Sequence, residues 1–446
     1  MSCAPCRVGL VALEPSPLKQ SDLASPGNGG WPFYTVLVPL YKEPEVAAKT
    51  VHYLNRLDYP RDRLEVLLLL EQDDDLTRRA LAREQLPPYF RVIEVPDSQP
   101  RTKPKACNWG LRAAKGEFLV IYDAEDRPDR DQLKKAAVAF SRMREKVICL
   151  QAKLSYYNPD QNLLTRWFTI EYAAWFDLYL PGLYRLNFPI PLGGTSNHFR
   201  CRVLEEIGGW DPFNVAEDCD LGIRLHRMGY RTAMLDTTTW EEANSRLRNW
   251  VRQRSRWVKG YLQTHLVHTR LPLRALREMG PIGALSFLMS VGGHSFLLLV
   301  NPIFWVIALG YLIPAGREVF SGHRIWEVVA GPMAGSAWGG LFTRTAGGHP
   351  QQILAPILYT VTAVLFLANF LFIIFNLLGC FKRRLGPGYL LLALVSPFYW
   401  VLISIAAWKG FLQLLRRPHY WEKTDHGLYH EPDPLPEPAA TDQSDL

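Results

Sequence analysis

Three acids crowd into Asp123-Ala124-Glu125-Asp126, which follows an apolar run and precedes Pro128, and so reads as a loop. Carboxylates this close repel one another unless a cation joins them. Hard divalent ions, Mg²⁺ or Mn²⁺, take oxygen ligands and pair one or two carboxylates with substrate phosphates. Asp123, Glu125 and Asp126 are therefore candidate metal ligands, and such a metal would neutralise a departing diphosphate. A solvated acidic turn would carry the same residues. Just upstream, Arg101, Lys103 and Lys105 supply cations that complement a metal-bound diphosphate; alone they read as a basic loop. Glu217-Asp218-Cys219-Asp220 opens a predicted helix, Leu221–Met228, ended by Gly229. Acids there often only cap a helix. One carboxylate is also enough to take the proton from an attacking hydroxyl, and a neighbouring acid raises its pKa toward the working range. Gln253, Arg256 and Trp257 fall at i, i+3 and i+4 of a predicted helix over 246–263 and share a face. An amide, a guanidinium and a flat indole suit a sugar and a diphosphate. A basic amphipathic helix at a membrane surface would explain that stretch equally well.

These groups need a frame. Phe33–Leu40, Leu64–Leu70, Phe90–Val95 and Phe118–Tyr122 read as strands, the second apolar almost throughout, as strands buried on both faces are. Helices are predicted near Glu45–Leu57, Leu76–Gln85 and Lys105–Ala114. The alternation implies a parallel α/β sheet with crossovers. Ligands bind beyond the carboxyl ends of such strands, which directs attention to Tyr41–Glu43, Glu71–Asp75 and Asp123–Asp126.

The chain has 446 residues and a formal net charge of +7. Basic clusters, Lys382–Arg384 and Arg416–Arg417, flank long apolar runs, so a membrane accounts for the charge better than a nucleic acid does. Runs near 291–313, 353–378 and 389–414 are each near or above the ~20 residues needed to span a bilayer. Trp167, Phe168, Tyr172, Trp175, Phe176 and Tyr179 crowd one segment with few charges, which reads as a helix in the membrane interface, where Trp and Tyr settle. Seven scattered cysteines, with a lone Cys3-x-x-Cys6, suggest no disulfide framework.

In their order and spacing these motifs resemble the family 2 glycosyltransferases of the processive, membrane-integrated kind, the cellulose and hyaluronan synthases. The likeness runs over about residues 33–313. Val38–Glu43 (VPLYKE) resembles the first nucleotide-binding loop, which implies Tyr41 and Glu43 at the donor. Glu71 stands near the family's uracil-facing carboxylate, usually Asp. Lys105–Asn108 (KACN) resembles the KAGN element, with Cys107 in place of Gly, and brings in Lys105 and Asn108. DAED resembles the DxD metal motif, with Glu125 or Asp126 as second ligand. Ala216–Asp218 (AED) resembles TED, implying Asp218 as base beside Glu217. QRSRW matches QxxRW outright. Gly193–Arg200 (GGTSNHFR) resembles the element that lines the acceptor's terminal sugar, implying Gly193, Gly194 and Thr195.

The resemblance implies a GT-A (Rossmann-like) α/β domain at 32–270, after a disordered leader at 1–31. Interfacial helices follow, with a C-terminal α-helical transmembrane region at 271–415 and a polar tail at 416–446. It implies a UDP-sugar donor, UDP-glucose, and inverting transfer to a growing β-linked polysaccharide. A single transfer to diacylglycerol is the second expectation. Mg²⁺ or Mn²⁺ would be the cofactor and membrane lipids the surroundings, with no nucleic acid. The expected place is a bacterial-type inner or plasma membrane, crossed several times, with the catalytic domain cytoplasmic.

Overall fold

Leu64–Glu71 (β2) is buried at every position, so both faces of its sheet must be covered. Tyr34–Leu40 (β1) shows how. Tyr34, Val36, Val38 and Leu40 pack into one core with Val46, Val51 and Leu54 of helix Pro44–Asn55 (α1). Leu37 packs into the opposite core with Ala106 and Leu111 of helix Lys103–Ala113 (α3). The two-residue period of a strand thus feeds two helical layers.

The computed structural model describes residues 30–303, 306, 321, 370–424, 427 and 429. Its eight-stranded sheet has the order β3-β2-β1-β4-β7-β6-β8-β5. The further strands are Phe90–Val95 (β3), Phe118–Ile121 (β4), Arg127–Pro128 (β5), Val147–Tyr156 (β6), Asn197–Arg200 (β7) and Arg231–Glu241 (β8). β3, β2, β1 and β4 are mutually parallel, as the sequence led us to expect. Beyond β4 the sheet is mixed: β7 runs antiparallel to β4 and β6, and β5 to β8. The reversal follows the turn at Gly193–Ser196, where Ser196 has a positive φ of 58°. Asp75–Leu81 (α2) and Gln132–Arg142 (α4) complete the first half.

The aromatic segment corrects one expectation. Leu163–Ala174 (α5), started by a capping box between Asn162 and Thr165, continues through a π-helical turn, Trp175–Tyr179, into Leu180–Arg185 (α6). Trp167, Phe168, Tyr172 and Phe176 are buried in protein. Trp167 stacks on Tyr399, its ring 5.6 Å away, and donates Nε1–H to the Leu392 carbonyl. Trp167 thus meets the chain's own C-terminal helices, while Phe168 and Tyr172 pack on Tyr156 of β6. Cys201–Glu206 (α7), Glu217–Arg227 (α8) and Leu247–Thr269 (α9) follow.

Pro272–Phe287 (α10) is kinked at Gly280–Pro281 and runs on through a π-helical turn, Leu288–Gly293, to Ile303. Pro387–Leu394 (α11) and Ser396–Arg416 (α12) close the described chain. By length and composition, Pro272–Ile303 and Ser396–Arg416 can cross a membrane, and Phe370–Lys382 is a shorter apolar helix. Of the three expected spans, 291–313 lies partly and 353–378 mostly outside the described residues. The third, 389–414, is broken at Val395 between two helices. The leader with Cys3 and Cys6 also lies outside the described residues but for its last two positions.

Candidate active site

The carboxyl ends of the parallel strands open into a cavity of about 290 Å³. β1 delivers Tyr41 and Glu43, β2 delivers Glu71, and the turn after β4 delivers Asp123 and Glu125. Lys103, at the start of α3, reaches the same space. From the other side come Gly193 and Gly194, then Glu217 and Asp218 at the start of α8. Gln253, Arg256 and Trp257 arrive from one face of α9. Residues more than 130 positions apart in the chain therefore meet at one void, on the side where open α/β sheets hold ligands.

Two close approaches make this possible. A Cβ on Gly260 would lie 2.3 Å from the Cβ of Ala216, so only glycine lets α9 rest against the residue before Glu217. A Cβ on Gly194 would lie 3.3 Å from Asp218 Oδ2, so a bare backbone leaves the Asp218 carboxylate its room.

The electrostatics of the cavity oppose charge on its acids. Burial, then the adjacent Asp218, pushes Glu217 up to about 7. Burial also raises Asp218, opposed by the Cys219 N–H that its Oδ1 accepts at 2.7 Å and by Lys103. Burial, followed by Asp126, Asp123 and Glu125, raises Glu241 well above the carboxylate range. Burial works against the charge of Lys103, but Asp123 and Glu217 outweigh it and hold its pKa high. Lys103 binds the Asp123 carboxylate and donates to the Gly194 carbonyl at 2.6 Å. Burial lowers Arg256 against the pull of Glu217, Asp123 and Asp218. An acidic, poorly solvated pocket of this kind favours a cation or a proton at its centre.

Four of the residues expected at the site do not line the cavity. Lys105 is buried and donates Nζ–H to Glu71 at 2.7 Å and to the Pro96 carbonyl at 3.1 Å; it neutralises Glu71, whose pKa burial raises. Asn108 braces the backbone of Trp210, donating to its carbonyl at 2.8 Å and accepting its N–H at 2.9 Å. Thr195 donates its hydroxyl to the Ile121 carbonyl at 3.1 Å and to Asp126. Asp126 itself points inward, accepting the Asp123 N–H at 2.8 Å, and burial raises its pKa well above normal. It holds the acidic turn together, while Asp123 and Glu125 face the cavity. Those two carboxylates, completed by phosphate oxygens, match the way Mg²⁺ or Mn²⁺ is held. Among the described residues no group of three His, Cys, Asp or Glu side chains is arranged to hold a metal by itself.

The tail is not merely a polar tail. Trp421 and Lys423 line the cavity. Lys423 donates Nζ–H to the carbonyls of Tyr41 at 2.5 Å and Lys42 at 3.0 Å and stands 3.9 Å from Glu43. The Arg256 guanidinium lies 4.6 Å from the centre of the Trp421 ring. Gln263 holds the Pro418 carbonyl, Lys409 holds Glu422, and Glu242 accepts the N–H groups of Gly427 and Tyr429. Trp-Glu-Lys inside a charged tail was the available signal, but nothing in its spacing ties it to the strand ends. Glu241, Glu242, Glu171 and Tyr261 also line the cavity and carried no motif.

The model of the "glycosyltransferase like family 2" matches residues 32–260, the stretch that builds this cavity. The chain belongs to that family. Its fold is GT-A-like. This family 2 chain is 28% identical over 232 residues to the probable glycosyltransferase YdaM of Bacillus subtilis. The match covers 51% of the chain and spans about half, 55%, of that protein. Among solved structures it is similar in fold to the mannosyltransferase PcManGT of Pyrobaculum calidifontis. That structure holds GDP-Man and Mn²⁺. The TM-score is 0.52 at 20% identity, with 92% of each chain covered. A looser likeness is to residues 1–349 of S. aureus TarS, TM-score 0.41 at 16% identity, covering 62% of this chain and 79% of that one.

Proposed function

We propose that the cavity transfers a sugar from a UDP-sugar, with UDP-glucose the expected donor, to an acceptor hydroxyl at a membrane surface, inverting the anomeric carbon. The reading rests on one observation: Asp123 and Glu125, Glu217 and Asp218, and Gln253, Arg256 and Trp257 all line the same void.

In this reading Tyr41, Glu43 and Glu71 receive the nucleoside. Lys103 and Arg101 lie where they can meet the diphosphate. Asp123 and Glu125 would hold Mg²⁺ or Mn²⁺, which supplies positive charge to the leaving diphosphate. Asp218, unprotonated, takes the proton of the acceptor hydroxyl. The acceptor oxygen then bonds to the anomeric carbon from the face opposite the diphosphate. The bond from that carbon to the diphosphate oxygen breaks, and UDP leaves with the electron pair. Gln253 and Trp257 hold the acceptor end and Arg256 the pyrophosphate. One base and one displacement give inversion, hence a β-linked product from an α-linked donor.

A growing β-linked glycan and the hydroxyl of a diacylglycerol both fit this chemistry. The second is favoured by the other half of the cavity, where Leu154, Phe176, Leu192, Leu298 and Ile403 form an apolar wall. Leu298 and Ile403 come from the two helices able to cross a membrane, which we read as embedded there with the catalytic domain on the cytoplasmic face. The test incubates the full chain in lipid nanodiscs with radiolabelled UDP-glucose, with and without divalent ions and dioleoylglycerol. Divalent-dependent label in a β-linked product supports the reading, as polymer or as chloroform-soluble lipid. UDP release with no sugar transferred to any acceptor would contradict it.

A further inference from the structure

Arg254 sits inside the QRSRW stretch but between the two residues that face the acceptor side. Its guanidinium is buried and its charge must be met within the protein. Glu171 of α5 meets it with both oxygens, one accepting from Nη1 at 2.6 Å and the other from Nη2. Tyr399 of α12 closes the triangle. Its hydroxyl donates to Glu171 at 2.8 Å and accepts from Arg254 Nη2 at 3.1 Å. The ion pair therefore spans three elements, and one of them lies outside the segment matched to the family, 32–260.

The same guanidinium touches three rings. Its centre is 4.4 Å from the Phe168 ring, 4.7 Å from Trp257 and 5.4 Å from Trp250. Trp257 is one turn along α9 from Arg254, so a planar cation fixed by the Glu171 fork supports the indole from beneath. Phe168 flanks the same indole at 5.9 Å. Tyr399 is itself held by rings, 5.6 Å from Trp167 and 5.4 Å from Trp250. Its hydroxyl is thus placed by packing and not by the ion pair it serves.

We infer that Glu171, Arg254 and Tyr399 are positioning residues for Trp257, and that the apolar helix Ser396–Arg416 is through Tyr399 a working part of the acceptor site. The three need not touch substrate. They set the tilt of the indole, while the nucleotide end of the cavity, at Tyr41, Glu43 and Glu71, is built from other elements.

Tyr399→Phe tests this, because it keeps the ring contacts and removes only the two hydrogen bonds. Glu171→Gln is the second variant, and Arg254→Lys keeps the charge but loses the fork and the flat stack. The full chain is labelled with 5-fluorotryptophan in nanodiscs, and the Trp257 line is assigned with Trp257→Phe. The Trp257 line should shift in all three variants while that of Trp210, packed on Phe199 elsewhere, stays. With UDP-glucose and either dioleoylglycerol or cellobiose, acceptor KM should rise about tenfold, because the indole that meets the acceptor is misplaced. UDP affinity and kcat should stay within about twofold. An unmoved Trp257 line in folded variants overturns the inference. So does a rise in KM accompanied by a fall in both UDP affinity and thermal midpoint, since that marks a merely structural pair. The kinetic arm rests on the transfer reading above; the fluorine arm needs neither donor nor acceptor. A shifted line with both acceptors silent would therefore fault that reading and leave this one standing.

Discussion

Glu217 and Asp218 share one buried place, and that has a consequence in pH. Glu217 is raised to about 7 by burial and by its neighbour, so it is protonated below that pH and charged above it. Glu217→Gln should therefore shift the acid limb of the kcat profile to lower pH, read from UDP release across a pH series. An unchanged limb would remove Glu217 from the titration. Stability carries the matching sign. The folded pKa lies above the ordinary 4.5, so the contribution is full below 4.5 and is lost as pH rises through about 7. Glu217→Gln should gain stability over the native chain above pH 7, by up to about 3 kcal/mol, and gain none in acid. Chemical denaturation at both ends of the range measures it. At this scale the residue types were legible and their directions were not. The three acids of DAED are equivalent as letters. Only the tight turn decides that Asp126 accepts the Asp123 N–H from inside while Asp123 and Glu125 face out. Lys105 and Asn108 read as ligand contacts because they are polar near a strand end; burial makes one a counter-ion for Glu71 and the other a brace for Trp210.

Among the elements, the seating of α9 on Ala216 is the tightest joint in the site. Gly260→Ala forces two Cβ atoms to within 2.3 Å and must push the helix off, at about 1–3 kcal/mol for overpacking. Transfer should fall more than about tenfold, since a small misplacement of Arg256 and Trp257 is costly. Ala216→Gly in the same chain removes the Cβ contact but leaves the Ala216 nitrogen 2.7 Å and its Cα 3.0 Å from the new methyl, so it should restore only a small part of the loss. The tail makes a second expectation. Lys423→Ala removes the cation from the Tyr41 and Lys42 carbonyls and should weaken UDP binding several-fold by calorimetry while leaving the thermal midpoint within a few degrees. β1, β2 and β4 were legible because continuous apolar runs have few other uses. The contact of the tail at Lys423 was not, because carbonyl contacts leave no periodicity in a sequence. The aromatic helix was misplaced for a related reason: a Trp and Tyr cluster is the same composition whether it meets headgroups or, as here, the chain's own β6, α11 and α12.

For the whole molecule, the family domain and the apolar helices share one core, in which Trp167, Trp250, Tyr399 and Ile403 all lie. The QxxRW helix is thus packed from behind by a candidate membrane helix. Motif order and spacing were enough to expect the acidic turns and the Gln253, Arg256 and Trp257 face at one cavity; the extent to which the C-terminal helices complete the site was not readable, since an apolar run says only that it avoids water. Proton removal at Asp218 is the step on which sugar transfer depends. The deciding measurement compares the full native chain with Asp218→Asn in nanodiscs, following sugar transfer from UDP-sugars with Mn²⁺ and UDP affinity in parallel. Loss of transfer by a factor of about 10²–10⁴, with UDP affinity within about twofold of the native chain, is the expected result. Transfer by the Asp218→Asn chain at close to the native rate would contradict the account.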